Sequence, residues 1–237
     1  MLIRLDKLLT NDGRFTRRDA KNLLRAGRVT VDGRAVSDGS IKLDPLSASV
    51  LIDGEGIVWR QFHYYMVNKP AGVVSSTDDP RDRTVLDLLP AEMRRIGLFP
   101  AGRLDKDSVG LLILTDDGEL AHRITSPRHK LEKLYFVRVD GRLDESDTEA
   151  FAGGMQLGGG QRALPAKLRI ISPSEAEVAL REGKYHQIKR MLAARGKPVL
   201  YLKRLSIGPI RLDPALPEGH WRELTQAETE ALKLVMS

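Results

Sequence analysis

No cysteine occurs in the chain, which removes disulfides, thiolate nucleophiles and cysteine-ligated zinc at a stroke. No apolar run approaches the roughly 18 residues that a membrane-crossing helix requires. The opening stretch, MLIRLDKLLTNDG, mixes acids and bases and lacks the uninterrupted apolar region and small-residue cleavage site of a secretory leader. The expectation is a soluble, cytoplasmic protein. Nucleotide cradles are also missing: no GxGxxG opens a helix after a strand, and there is no P-loop. The histidines, at 63, 122, 129, 186 and 220, form no i, i+4 pair, so no metal is expected, and no serine sits in a nucleophile elbow. Any chemistry must use oxygen and nitrogen groups, with no cofactor called for.

What is present is charge, unevenly placed. Of the net charge of +6 over 237 residues, residues 1–34 supply most, with nine basic side chains against four acidic ones. Such a concentration is the footprint of a phosphate-binding module. Thr16 followed by Asp19 reads as a capping pair and Gly27 as a stop, predicting a helix over 17–26. On that helix Arg17, Lys21 and Arg25 fall on one ridge with Arg18 beside them, while Ala20, Leu23 and Leu24 point to a core. A shorter helix is expected at Leu5–Leu9, and VTVDGRAV predicts a hairpin turning at Asp32-Gly33. The order RLDKLL, then TRRDAKNLLRAGRVTVDG, resembles the S4 RNA-binding domain over roughly residues 2–45. Arg4, Lys7, Arg17, Arg18, Lys21, Arg25 and Arg28 are its candidate RNA contacts.

Residues 37–60 mix Asp, Gly, Ser and Pro with short apolar pieces, and a strongly apolar segment, YYMVN, begins at Tyr64. The boundary is placed there: an RNA-binding domain at 1–59 and a catalytic domain at 60–237. In the second, LLIL at 111–114 and EKLYFVRVD at 132–140 read as strands, and AKLRIIS with EAEVALRE as a hairpin. Helices are predicted near 187–194 and after a Thr225/Glu228 capping pair. Hairpin-paired strands with a few helices give an α+β fold, its mixed, mainly antiparallel sheet flanked by helices.

The stretch GRLDKDSVGLLILTDDG at 102–118 sets Asp105 between Arg103 and Lys106, hard against the apolar LLIL. Read locally, Asp105 is one acid in a charged turn, and Asp107, Asp116 and Asp117 are turn or cap residues. Its company changes that reading. NKPAG at 68–72, the Asp105 stretch, EKLYFV at 132–137 and EGKYHQIKRM at 182–191 together resemble, in order and spacing, the motifs of pseudouridine synthases. STDDP at 76–80, HRITSPRH at 122–129 and the N-terminal module narrow the likeness, over nearly the whole chain, to the type that modifies RNA of the small ribosomal subunit.

That resemblance implies isomerisation of a uridine, at position 516 of 16S rRNA, within an assembling small subunit, by a monomer with no membrane contact. The bond from base N1 to the sugar breaks and carbon 5 is joined in its place, so no atom is gained or lost. Asp105 becomes the catalytic carboxylate, whether by attack on the sugar, attack on the base or removal of a sugar proton. Lys189, where many relatives have arginine, becomes its cationic partner, a point charge in place of a fork. Tyr135 stacks on uracil and its hydroxyl takes the carbon-5 proton. Arg103 fills the gap left by the extruded nucleotide, Leu104 and Ile188 contact substrate, and NKPAG braces the loop. LLIL anchors that loop at the floor of a basic cleft, with Gly102 and Gly110 permitting the tight backbone. The alternatives are a synthase acting on 23S rRNA, a silent ribosome-assembly RNA-binding protein, and an RNA N-glycosidase using the same carboxylate with water.

Overall fold

The computed structural model describes residues 1–126, 131–157 and 159–234. The chain separates into two compact units, Met1–His63 with Leu89–Leu98, and Tyr64–Leu88 with Phe99–Ser237.

In the first unit, β1 (Ile3–Arg4) leads into α1 (Leu5–Leu9) and α2 (Arg17–Arg25). Thr16 accepts from the Asp19 amide at 3.1 Å and the Asp19 carboxylate accepts from the Thr16 amide at 2.9 Å, a closed capping box. Leu5, Leu8 and Leu9 pack with Ala20, Leu23 and Leu24 in one apolar cluster. Next come β2 (Val29–Val31), β3 (Arg34–Ala35), β4 (Lys42–Leu43), β5 (Val50–Ile52) and β6 (Glu55–Gly56). The β2–β3 turn holds Asp32 at φ 50° and Gly33 at φ 77°, the two positive values that a type I′ hairpin needs. β1 pairs with β4, and β3-β2-β5-β6 form a small antiparallel sheet. A short helix far along the chain, α3 (Ala91–Arg94), belongs to this unit, where Arg95 donates to the Gly13 carbonyl at 3.1 Å.

The second unit is built on one nine-stranded sheet. Its strands are β7 (Tyr64–Lys69), β8 (Phe99–Pro100), β9 (Val109–Thr115), β10 (Lys133–Val139), β11 (Lys167–Ser172), β12 (Glu175–Leu180), β13 (Val199–Ile207), β14 (Ile210–Arg211) and β15 (Trp221–Glu223). The main path runs β11-β12-β10-β13-β9-β7-β15, with β14 on β13 and β8 on β9. Every pairing of these strands is antiparallel except β13 with β9. The helices are α4 (Gly118–Thr125), α5 (Glu145–Gly153), α6 (Gln187–Ala194) and α7 (Gln226–Leu234). The reciprocal Thr225/Glu228 bonds cap the last of these.

β7 and β9 are buried at every position, which is why both read as near-continuous apolar runs and not as alternating ones. Leu111, Leu112, Ile113 and Leu114 are wholly inaccessible, each worth about 1.5–3 kcal/mol of burial. Ile188, Met191 and Leu192 of α6 and Phe151 of α5 join Tyr135, Val137 and Leu202 in a single cluster. Registered pairs place Tyr135 opposite Arg204, Arg204 opposite Gly110, and Gly110 opposite Lys69, one row across four strands. Gly110, at φ 102°, lies so close to β13 that an added Cβ would sit 2.3 Å from the Arg204 carbonyl oxygen. Only glycine fits the crossing.

Candidate active site

A cleft of about 700 Å³ opens in the second unit, with Asp105, Tyr135 and Ile188 among its walls. Asp105 ends a short approach to β9 and begins a turn in which Ser108 donates back to it, from its amide to the carbonyl at 3.1 Å and from its hydroxyl to the carboxylate at 3.4 Å. The turn is held from beneath. Lys69, fully buried at the end of β7, donates from Nζ to the carbonyls of Ser108 at 2.7 Å, Pro70 at 2.9 Å and Lys106 at 3.3 Å. Gly72 adds its amide to the Lys106 carbonyl at 2.8 Å. NKPAG thus braces the loop through its lysine.

Arg204 grips the same segment from the other neighbouring strand. Its Nε donates to the Leu111 carbonyl at 2.7 Å and its Nη1 to the Arg103 carbonyl at 3.3 Å, one on each side of Asp105 in sequence. It is only 2% exposed, and its Nη2 finds no partner among the described residues. Burial lowers the Lys69 ammonium to a pKa of about 8, with Asp107 and Asp105 opposing that shift. Lys133 of β10 is lowered to about 8 by burial as well, with the Arg204 charge adding to it. The bracing role of NKPAG was legible in the sequence, though not which of its atoms does the work; Arg204 could not be assigned its task, because it depends on the row across β10, β13, β9 and β7.

Lys189 reaches the site from α6. Ile188, Met191 and Leu192 turn inward on that helix, which leaves Lys189 on its flank. Its Nζ lies 3.0 Å from Asp105 Oδ2 and 2.5 Å from Asp107 Oδ1. Burial works against the Lys189 charge, but hydrogen bonds to Asp107 and Asp105 outweigh it and raise the lysine above its ordinary value. Its bond likewise holds Asp107 below the usual carboxylate range. Asp107, read from sequence as a turn residue, is a second acceptor for the same cation. The DxD spacing that would have suggested this was visible but had no geometry attached to it.

Tyr135 is 8% exposed and lines the cleft from β10. Leu104 and Ile188, both buried, line it too and belong to the same apolar cluster as Tyr135. Leu104 is clamped by Ser75, whose hydroxyl accepts from its amide and donates to its carbonyl, each at 3.0 Å. Arg103 is exposed at the cleft, and its side chain makes no hydrogen bond or ion pair among the described residues. The cleft is not uniformly basic, as the sequence had suggested. Asp79, Asp82 and Asp105 line it beside Arg103, Lys106 and Lys184, and Lys106 is spent on Asp82 at 2.6 Å.

His186, one of the histidines without an i, i+4 partner, stands with its Nε2 3.5 Å from Asp105 Oδ1. Its backbone is left-handed at φ 49°, a strained conformation of the kind that functional sites retain. Part of HRITSPRH, residues 127–129, lies outside the described residues.

In the first unit, Arg17, Arg18, Lys21, Arg25 and Lys7 are exposed with no ion pair among the described residues. Arg4 and Arg28 are exposed as well, but each is paired at 2.5 Å, with Asp6 and Asp53. The free cationic face is therefore carried mainly by α2.

Comparison with known proteins bears on both units. Residues 3–45 match the S4 domain, and residues 63–194 match RNA pseudouridylate synthase. A Bacillus subtilis RNA pseudouridine synthase is 44% identical, covering 97% of this chain and 98% of that protein. The ribosomal small subunit pseudouridine synthase A of Escherichia coli is 43% identical, over 95% and 98% of the two chains. That of Yersinia pestis is 44% identical, over 95% and 96%. A crystal structure of a pseudouridylate synthase superposes with a TM-score of 0.69 at 39% identity, covering 97% of this chain and 99% of the other. On the match over residues 63–194 and these identities over nearly its whole length, the chain belongs to the RNA pseudouridylate synthase family.

Proposed function

We propose that the protein converts one uridine of 16S rRNA, by resemblance uridine 516, to pseudouridine during small-subunit maturation, working as a monomer. The observation that carries this reading is the meeting of Asp105, Tyr135 and Lys189, which are far apart in sequence, at one cleft or within 3.0 Å of a group that lines it. The 16S assignment rests on the relatives named ribosomal small subunit pseudouridine synthase A. Residues 1–59 serve as the RNA-binding domain and 60–237 as the catalytic one, with Arg4, Lys7, Arg17, Arg18, Lys21, Arg25 and Arg28 facing phosphate.

Asp105 supplies the carboxylate at the glycosidic carbon while the N1 bond is broken and the carbon-5 bond is made. Carboxylates perform this service at other glycosidic centres, where an electron-poor sugar carbon must be captured or stabilised. Lys189 stands against it as the compensating cation. Tyr135 stacks on the uracil, an interaction worth about 1–3 kcal/mol per base, and its hydroxyl takes up the carbon-5 proton while N1 gains one. Leu104 and Ile188 form the apolar floor on which the base lies, and the unpaired Arg103 guanidinium occupies the place that the extruded nucleotide leaves.

Ribosomal RNA carrying tritium at carbon 5 of uracil tests the reading. The isomerase releases tritium to water and keeps the base on the RNA. A mere binder releases none, and an N-glycosidase leaves an abasic site. Asp105→Asn is expected to lower release by about 10²–10⁴-fold with RNA affinity retained. Turnover that survives this substitution removes Asp105 from the reaction.

A further inference from the structure

Tyr185 is a cleft side chain that the proposed reaction leaves unused. An aromatic residue 73% exposed, it lies on the wall of the same cavity as Asp105. It does not hang loose. Its ring lies on that of His186, centroids 3.8 Å apart and planes 16° from parallel. His186 in turn stands 3.5 Å from the Asp105 carboxylate, so the two-ring stack is in register with the reacting centre.

The backbone beneath the pair is fixed at several points. Gln187, only 4% exposed, accepts from the Lys184 amide at 3.0 Å and donates to Glu182 at 2.7 Å. Its own amide donates to the Lys184 carbonyl at 3.1 Å, and Arg190 donates to the Tyr185 carbonyl at 3.4 Å. The left-handed turn at His186, φ 49°, is the step that sets the two rings side by side at the mouth of α6. Strain kept at such a position marks a geometry that the surrounding bonds enforce.

We infer that Tyr185 is a stacking platform for a nucleobase of the RNA next to the target uridine, with His186 as the second layer beneath it. The inference rests on the proposed reaction for the identity of the RNA, but the surface itself is defined by geometry. One face of Tyr185 is covered by the imidazole, and the residue as a whole remains 73% exposed. A flat, uncharged and preordered face suits a base and does not suit a phosphate. Base stacking on aromatic side chains tolerates any base, so the platform orders the strand beside the extruded uridine without reading its sequence. It supplies the flanking grip that a flipped nucleotide needs once its own stacking is lost.

The test uses the full chain and a short single-stranded RNA in which 2-aminopurine stands immediately 5′ or 3′ of a single uridine, with a control carrying the probe ten nucleotides away. The unsubstituted protein and Tyr185→Phe should quench the adjacent probe and leave the distant one unchanged. Tyr185→Leu, which keeps apolar area without a π face, and Tyr185→Ala should abolish that quench and weaken binding by about 5- to 150-fold. The dependence of affinity on salt should not change, because no phosphate contact is lost. Because Tyr185 is exposed, thermal unfolding should be unaltered. Quenching by Tyr185→Ala equal to that of the unsubstituted protein, or affinity within twofold of it, overturns the platform. Tritium release from labelled rRNA is followed in parallel. Release without adjacent quenching sinks the platform alone, and quenching without release sinks the proposed reaction and leaves the platform standing.

Discussion

Replacing Lys189 by methionine keeps the aliphatic stem and removes the charge, which isolates what the ammonium does. Its two acceptors differ sharply. Asp107 is 74% exposed in its side chain and Asp105 only 24%, while Lys189 itself is 20% exposed. A solvated carboxylate loses little when its partner goes, about 0–1 kcal/mol, whereas a fully buried pair broken on one side costs about 3–5 kcal/mol. The Asp105 pair lies between these limits, at about 2 kcal/mol, or roughly 30-fold in rate. A base seated in the cleft displaces water from the pair and moves the cost toward the upper limit. Single-turnover tritium release with Lys189→Met should therefore fall by about 30-fold or more, while RNA affinity is kept. Lys189→Arg, still cationic, should recover most of the rate, and Asp107→Asn should change it by less than about threefold. Since Lys189 is raised above its ordinary value, its contribution to stability is complete below about pH 10.5 and is lost only above that; the loss of rate should be flat through neutrality. Lys189→Met working within twofold of the unsubstituted enzyme would refute the assignment of this cation to Asp105.

Gly110→Ala drives a Cβ to 2.3 Å from the Arg204 carbonyl at a φ of 102°; unfolding in urea should show a loss of about 3 kcal/mol or more, and a midpoint unchanged would mean that β9 and β13 do not cross there. Charge reversal at Arg17, Lys21 and Arg25 should weaken RNA binding and reduce the slope of log affinity against log salt by about 2; an unchanged slope would place the RNA elsewhere. Lys69 and Lys133 each fall to about 8 by burial, so between about pH 8 and 10.5 the unfolded chain holds more protons at these sites and stability rises with pH. Urea midpoints at pH 7.5 and 9.5 check the sign, and a fall across that interval would contradict it.

Features closed within a few residues were legible from the sequence. Thr16 with Asp19, Thr225 with Glu228, and Asp32-Gly33 each satisfy their own backbone groups locally, so their signals survive any tertiary context. LLIL was legible for a different reason, since a strand buried on both faces has no polar alternation to hide. The fold class followed from these pieces. The residues that escaped sequence reading take their meaning from neighbours across strands. Arg204 stands against Gly110 only through registered pairing, and the carbonyls that Lys69 reaches within the brace read at NKPAG are set by the fold. His186 meets Asp105 from a left-handed backbone, and no spacing rule announces that. The inclusion of Leu89–Leu98 in the first unit is likewise a matter of packing between distant segments, with no local mark.

The three cations around Asp105 divide their labour by what they bond. Lys69 and Arg204 are buried and spend their donors on five carbonyls, those of Pro70, Lys106, Ser108, Leu111 and Arg103. None of those bonds goes to a carboxylate. They fix the backbone on both sides of Asp105 without competing for its oxygens. Lys189 alone among the three bonds the carboxylate directly. A buried cation held only by carbonyls costs stability unless those carbonyls would otherwise be orphaned, and a tight turn ahead of a fully buried strand presents that situation. Loss of Lys69 or Arg204 should therefore be felt first as loss of order and stability in the 103–111 segment, and loss of Lys189 first as loss of rate. Holding the aspartate in place and answering its charge fall to different side chains, so Lys189→Arg should be mild where loss of Lys69 or Arg204 is not.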